Sequence, residues 1–322
     1  TVRPFPQNKS VRLKFAKLTA GFASAAIVAV APMVSAQMMM VPGQFGVTPT
    51  GASTYTIPIE VPPGTAGMVP ALTLNYSSQQ GNGLLGVGWS LGGLPSIGRC
   101  GKTIAQDDVT RGVRFDSEDR FCLDGQKLVA INGGTYGANN TGYRTEIEGF
   151  SKIVSYTETG ITGPAKFKVW TKSGQIMEFG YSANARMVAS AKQDVVRSWA
   201  VNRISDVKGN YLAVAYHNDV ATGEAYPTRI AYTANDSASL NPTKYVDLVY
   251  EDRDDDRTRY LAGSKLTTTK RLASIGTYVD ATYSPTYGPI NGTLTKEYKL
   301  SYEMSGATQR SVLKDVELCA GP

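Results

Sequence analysis

The residues with the most chemical promise in this 322-residue chain crowd into one glycine-dense stretch, 81–92. Gly88-Trp89-Ser90-Leu91-Gly92 has the G-x-S-x-G spacing of a nucleophile elbow. That device needs a strand before the serine, a helix after it and a histidine in reach of the hydroxyl. The chain has a single histidine, His217, in a Tyr-His-Asn-Asp context. Gly92, Gly93 and Pro95 follow Ser90 too closely for a helix to propagate. Gly81-Asn82-Gly83-Leu84-Leu85-Gly86 has the spacing of a dinucleotide loop. Such a loop must follow a strand directly and open a helix, so that amides and the helix dipole meet a pyrophosphate. Here Ser77-Ser78-Gln79-Gln80 intervenes, and the same glycines forbid the helix. The stretch is therefore predicted to be a bent sheet corner with Trp89 packed inward. Gly83, Gly86 and Gly88 would allow bends that a Cβ would obstruct.

Two further clusters carry ionisable side chains. Glu146-Ile147-Glu148 resembles the E-x-E pair of arginine-specific ADP-ribosyltransferases. Arg114 or Arg120 could supply the arginine that such enzymes also need, but no Ser-Thr-Ser-like segment lies between them and Glu146. Alternating glutamates on a strand's wet face are the reading taken. Glu251 to Arg257 is a dense acidic run whose oxygens could hold calcium. It lacks the turn glycine and distal glutamate of an EF-hand loop, and two arginines offset its charge, so a solvated loop is expected. One histidine leaves little for a zinc site. No catalytic residue, cofactor or metal is assigned.

The elements that position these residues read as β throughout. Hydrophobic content of 42% against 19% charged fits a folded chain and excludes a disordered one. Thr54–Val61 alternates with Tyr55, Ile57, Ile59 and Val61 on one face, and Pro58 marks an edge or a strand end. Ala71–Tyr76 repeats the pattern and could pair with it as a hairpin. Strand candidates separated by turn signals continue to Glu303, and Ala183–Val196 is the nearest thing to a helix. A loose unit recurs: Arg203-Ile204-Ser205-Asp206, then Gly209-Asn210-Tyr211, with related pieces at Arg229-Ile230 and Arg271-Leu272. Stacked hairpins of this kind suit extended sheets that bury apolar faces against their neighbours. The fold class expected is all-β, extended antiparallel sheets of stacked hairpins, after an N-terminal signal helix.

The net charge of +6 comes from the first segment. Residues 1–36 hold Arg3, Lys9, Arg12, Lys14 and Lys17 and no acid; the remainder has 28 basic against 27 acidic residues. No basic stripe is left for nucleic acid. The basic stretch, the apolar run Leu18–Val34 and the small residues before Gln37 predict a cleaved secretory signal. Pro32 and the alanine content argue against a membrane anchor, so no stable membrane insertion is expected after cleavage. Residues 37–50 read as a linker and 51–322 as the β domain. Export permits disulfides. Cys100 and Cys122 could close a local loop, leaving Cys319 over; three free thiols are the other reading. An odd cysteine and an opening Thr1 lead us to expect that the natural protein extends beyond this sequence at both ends.

Several blocks together resemble a known family. They are Gly51-Ala52-x-Thr54-Tyr55-x-Ile57-Pro58-Ile59, the Pro/Gly segment Val61 to Pro70, Leu72-x-Leu74-x-Tyr76, and Gly81 to Leu91. Ile97-x-Arg99-Cys100, Asp119-Arg120-Phe121-Cys122 and Tyr143-Arg144-Thr145-Glu146 complete the set. The chain resembles the N-terminal domain of the SpvB family and of insecticidal toxin-complex B components, and the Arg-Ile units look like RHS/YD-repeat sequence. The resemblance implies β-sheet contributed to a hollow shell around a toxic cargo. It implies an adjoining β-propeller that docks on a pore-forming partner. The actin ADP-ribosylation domain of SpvB lies elsewhere in that protein and is not carried over. The expected function is a non-enzymatic structural or encapsulation module, secreted or held at the cell surface. Its partners would be further domains of the same polypeptide, a propeller or RHS shell, and toxin-complex components. A surface adhesion module with tyrosines lining a carbohydrate or protein groove is the alternative; an ADP-ribosyltransferase or hydrolase is the third reading.

Overall fold

The computed structural model describes residues 41–321. The expected signal segment, 1–36, lies outside the described residues. The described chain is all-β, with one four-residue helix, α1 (Ile104–Asp107). No described helix is long and apolar enough to cross a membrane.

The first strands form a small antiparallel sheet: β1 (Gln44–Val47), β2 (Ser53–Pro58), β3 (Thr73–Ser77) and, beyond the two-residue strands β4 (Asn82–Gly83) and β5 (Gly86–Val87), β6 (Trp89–Gly92). Part of the stretch expected to be linker is thus a strand, because Phe45 and Gly46 pair with Tyr55 and Thr54. β2 and β3 pair as the alternation predicts, Ile57 opposite Leu74, and both side chains are buried. Pro58 is the last residue of its strand, where its missing N–H costs no ladder bond.

A closed ring follows. Its short strands are β7 (Ser96–Cys100), β8 (Arg120–Leu123), β9 (Gln126–Ala130), β10 (Gly142–Thr145), β11 (Lys152–Tyr156), β12 (Lys166–Trp170) and β13 (Ile176–Phe179). After β14 (Arg186–Ala189), the long strand β15 (Lys192–Ser205) pairs with β7 through Ser198–Ala200 and with β13 through Val201–Ser205. That double pairing closes eight strands into a barrel. Eight strands leave an interior that side chains can just fill. Phe121, Tyr143, Phe167 and Trp199 fill it, with ring centroids 4.9–6.4 Å apart and mostly edge to face. The segment nearest to a helical reading, Ala183–Val196, is instead a turn and the β14–β15 hairpin.

From β15 the chain meanders in long antiparallel strands: β16 (Asn210–Asp219), β17 (Glu224–Asn235), β18 (Lys244–Leu261) and β19 (Ser264–Val279). A small hairpin of β20 (Thr282–Ser284) and β21 (Gly288–Ile290) intervenes before β22 (Thr293–Met304) and β23 (Ser311–Ala320). The recurring Arg-Ile unit has a physical meaning here. The apolar member, Ile204, Ile230 or Leu272, points into the core. The arginine lies on the other face over a tyrosine ring and against a carboxylate. Arg203 sits 3.7 Å from the Tyr211 centroid and pairs with Asp236. Arg229 lies over Tyr245 with Asp247, and Arg271 over Tyr302 with Glu251, each 4.6 Å from its ring. The Asp206–Asn210 turn between β15 and β16 is held by Asp206, which accepts from the Lys208 and Asn210 amides.

Candidate functional site

The glycine-dense stretch is a sheet corner. The chain leaves β3 at Ser77, folds back through the β4–β5 hairpin and re-enters the same sheet as β6, where Trp89 faces Tyr76. At Gly86, φ is +79° and a Cβ would stand 2.5 Å from the Ser311 carbonyl oxygen. At Gly88, φ is +82° and a Cβ would meet the Tyr76 ring at 2.5 Å. Both positions need glycine. Gly83 does not: a Cβ there would lie 3.7 Å from Trp89 O, an ordinary contact, so the expected obstruction is absent. Trp89 is half-buried, edge-on to Tyr55 at 6.5 Å and tilted on Tyr76 at 5.5 Å. It packs on the core from outside; the fully buried tryptophan is Trp199.

What pins the corner is the acidic run that the sequence reading placed in a solvated loop. Residues 251–257 lie within β18, where the pairing with β19 slips between Asp252 and Arg257. The slip turns Arg253 inward, with its side chain 0% exposed and Asp255 at 6%. Arg253 Nη1 donates to Gly83 O at 2.8 Å and Nη2 to Asn82 Oδ1 at 2.7 Å. Asp255 accepts from Arg253 Nε, from Asn82 Nδ2 and from the Ser311 amide, each at 2.8 Å. Burial by itself would raise the Asp255 carboxyl. The hydrogen bonds from Arg253, Ser311 and Asn82 outweigh it and hold the group below the ordinary carboxylate range. These oxygens are occupied by protein donors and are not free for a cation. Through this cluster the corner, β18 and β23 become one joint.

A second buried cluster sits at one end of the barrel. Arg99, 3% exposed, contacts Asp119, 0% exposed, at 3.3 Å. Its Nε donates to Val196 O at 2.7 Å, and its guanidinium lies 5.5 Å from the Phe121 ring and 5.8 Å from Trp199. Asp119 also accepts the Arg114 and Phe115 amides. Cys100 and Cys122 form a disulfide across β7 and β8 next to this pair, and Cys319 is free. Asp107 bonds Arg120 at 2.6 Å and also Lys127. Burial opposes its ionisation, but those bonds and the Thr103 amide bring it down to about 2.

The match of family models decides what these joints belong to. The model described as Salmonella virulence plasmid 65kDa B protein matches residues 47–273. The chain belongs to the SpvB family. Its fold is similar to that of the N-terminal domain of effector protein SpvB from Salmonella typhimurium strain LT2, with a TM-score of 0.64 and 19% identity over 82% of this chain and 98% of that one. It is similar to TcdB2–TccC3, with a TM-score of 0.67 and 22% identity over 86% of this chain. It is also similar to a chain of the Photorhabdus luminescens Tc holotoxin pore, with a TM-score of 0.65 and 21% identity over 87% of this chain. The chain spans 16% of the length of the TcdB2–TccC3 chain and 15% of the holotoxin one. No curated protein matches it. In this SpvB-family domain the blocks Gly81–Leu91, Ile97–Cys100 and Asp119–Cys122 code for the two joints just described.

The remaining candidates stay apart. Ser90 is on β6, and its hydroxyl donates to Asn75 O at 3.4 Å. His217 is stacked on Tyr226 at 4.7 Å, and no hydrogen bond among the described residues links it to Ser90. Glu146 and Glu148 lie beyond the end of β10 in an exposed turn, not on a strand face. Glu148 accepts the Phe150 amide at 2.6 Å and stands 4.0 Å from Arg144. The joints centred on Arg253 and Arg99 are what sequence reasoning missed. Their residues lie far apart in the chain, and only the arginines inside an otherwise acidic or apolar context hinted at them.

Proposed function

We propose that this domain is a non-catalytic structural module of an exported polypeptide, building β-shell beside further domains. The observation that carries it is the use made of the reactive side chains. The buried ion pairs are consumed by internal bonds, and so are several tyrosine hydroxyls. Tyr298 accepts the Glu60 amide at 2.9 Å, Tyr232 donates to Pro62 O at 2.9 Å, and Tyr302 to Leu272 O at 2.6 Å. They rivet the Ile59–Pro63 segment and neighbouring strands to the meander. Buried tyrosines usually find such partners. Membership of the SpvB family and the fold shared with Tc chains support a place within a larger toxin-complex-like assembly. An RHS-like shell or a propeller would be the adjoining domain, and the cargo would be enclosed between them.

The test is protease protection. A polypeptide carrying this domain and its downstream sequence is digested alongside one lacking residues 41–321. Protection of the downstream segment only when the domain is present fits encapsulation; equal cleavage of both rules it out. One feature favours the adhesion reading instead. An apolar pocket of about 250 Å³ opens beside Trp89, Leu91, Leu94, Tyr216 and Pro227. A glycan array with the wild-type domain separates the readings, since binding that Trp89→Ala abolishes would favour adhesion.

A further inference from the structure

A cavity of about 370 Å³ lies next to the glycine corner, and three arginines line it. Arg197 comes from β15; Arg257 and Arg259 come from β18, two positions apart and so on one strand face. The buried arginines of the two joints each have a carboxylate against them, Arg99 its Asp119 and Arg253 its Asp255. Arg197 is half-buried, whereas Arg257 and Arg259 are exposed. Among the described residues none of these three has an acid within 4.0 Å. Arg257 donates to Asn82 O at 2.9 Å and Arg197 Nη2 to Gly223 O at 2.7 Å, both neutral acceptors. Arg197 Nε and Thr267 Oγ1, both from the cavity wall, are enclosed without a hydrogen-bond partner. The one acid in the wall, Glu224, is already taken: it accepts the Thr269 and Lys270 amides and the Thr269 hydroxyl.

For the half-buried Arg197 the lack of a counter-charge is costly, and neighbouring like charge adds to the cost. Desolvation first, and repulsion from Arg259 second, lower Arg197 to about 10. The cavity shares Gln80, Gly83, Leu84, Ser96 and Ala200 with the apolar pocket beside Trp89. An apolar group attached to an anion held by the arginines would have space there.

We propose that this cavity is an oxyanion site, taking a carboxylate or phosphate group between Arg197 and Arg259, with room beside Leu84 for an apolar substituent. The oxyanion supplies the charge that the two guanidiniums lack, and closing Arg197 onto it satisfies the orphaned Nε. A free phosphate- or carboxylate-bearing molecule offers this chemistry, and so does an acidic side chain of another domain of the same polypeptide.

The test is thermal melting of the 322-residue chain titrated with inorganic phosphate and with phenyl phosphate, against sodium chloride at matched ionic strength to remove screening. The expected result is a saturable rise in Tm with both anions, with phenyl phosphate half-saturating at the lower concentration. Arg259→Gln should weaken both by about tenfold or more, the usual scale for losing one charge-assisted contact. Because the Arg259 side chain makes no hydrogen bond or ion pair among the described residues, the Tm of this variant in chloride should stay level or rise. Arg197→Gln is the second variant. A phosphate response no larger than that of chloride, or one that survives in both variants, overturns the site; equal affinity for the two anions overturns the apolar extension. Repeating the titration on the longer polypeptide separates the sources. Binding that persists there marks a free ligand, and binding lost only there marks an internal acid already seated.

Discussion

In the barrel, seven strands of four or five residues are held by closure onto the long β15 around packed aromatics; in the meander, strands of ten to eighteen residues stay open and are held along their length. A short strand gains few ladder bonds. It depends on a ring that leaves no free edge and on large side chains that fill the centre. A long hairpin gains its pairing locally and can spend one face on polar contacts. That is where the Arg–Tyr–carboxylate sets lie. The barrel therefore stores its stability in a few residues, and the meander distributes it.

Four variants would break or sharpen this contrast. Trp199→Ala should cost the most, about 4 kcal/mol, the range for emptying a fully buried aromatic site. Urea unfolding followed by far-UV circular dichroism measures it. A separate early transition would show the barrel failing alone, and one common transition would show the meander falling with it. Arg253→Met should cost about 3 kcal/mol, because it leaves Asp255 buried without its cation. A cost below about 1 kcal/mol would mean that the corner is not pinned by this joint. Replacing Cys100 and Cys122 together by serine should cost up to about 3 kcal/mol through the freed loop, read as a lower Tm that reductant reproduces in the wild type. Trp89→Ala should cost least, about 1–2 kcal/mol, since the side chain is only half-buried. A loss equal to that of Trp199→Ala would remove the distinction between corner and barrel centre.

Much of the small first sheet and of the meander was legible in the amino-acid sequence, because most of their hairpins are local. Period-two alternation located β2 and β3, and the Asp206–Asn210 turn chemistry located the β15–β16 connection. Closure of the barrel was not legible. Nothing in four- or five-residue strands says that β7 will meet β15, and the glycine motif drew attention to Trp89 while Trp199 sat unremarked inside a strand run. Charge misled in the same way. A run such as Glu251–Arg257 reads as wet until a slip in pairing turns Arg253 and Asp255 inward as mutual partners. The pairing of Glu146 with Glu148 failed for the opposite reason, since β10 ends at Thr145 and leaves both in a turn.

The seam between β7 and β15 also sets an order of events. It joins Ile97 to Trp199, about a hundred residues apart, and contacts so distant form slowly because the intervening chain must first lose its freedom. During synthesis the strands from β7 to β13 emerge before the one that seals them. Until Trp199 arrives, β7 presents an unpaired backbone and Phe121 and Phe167 lack their central partner. The half-made ring would expose an unpaired strand edge and apolar rings, the surfaces from which aggregation starts.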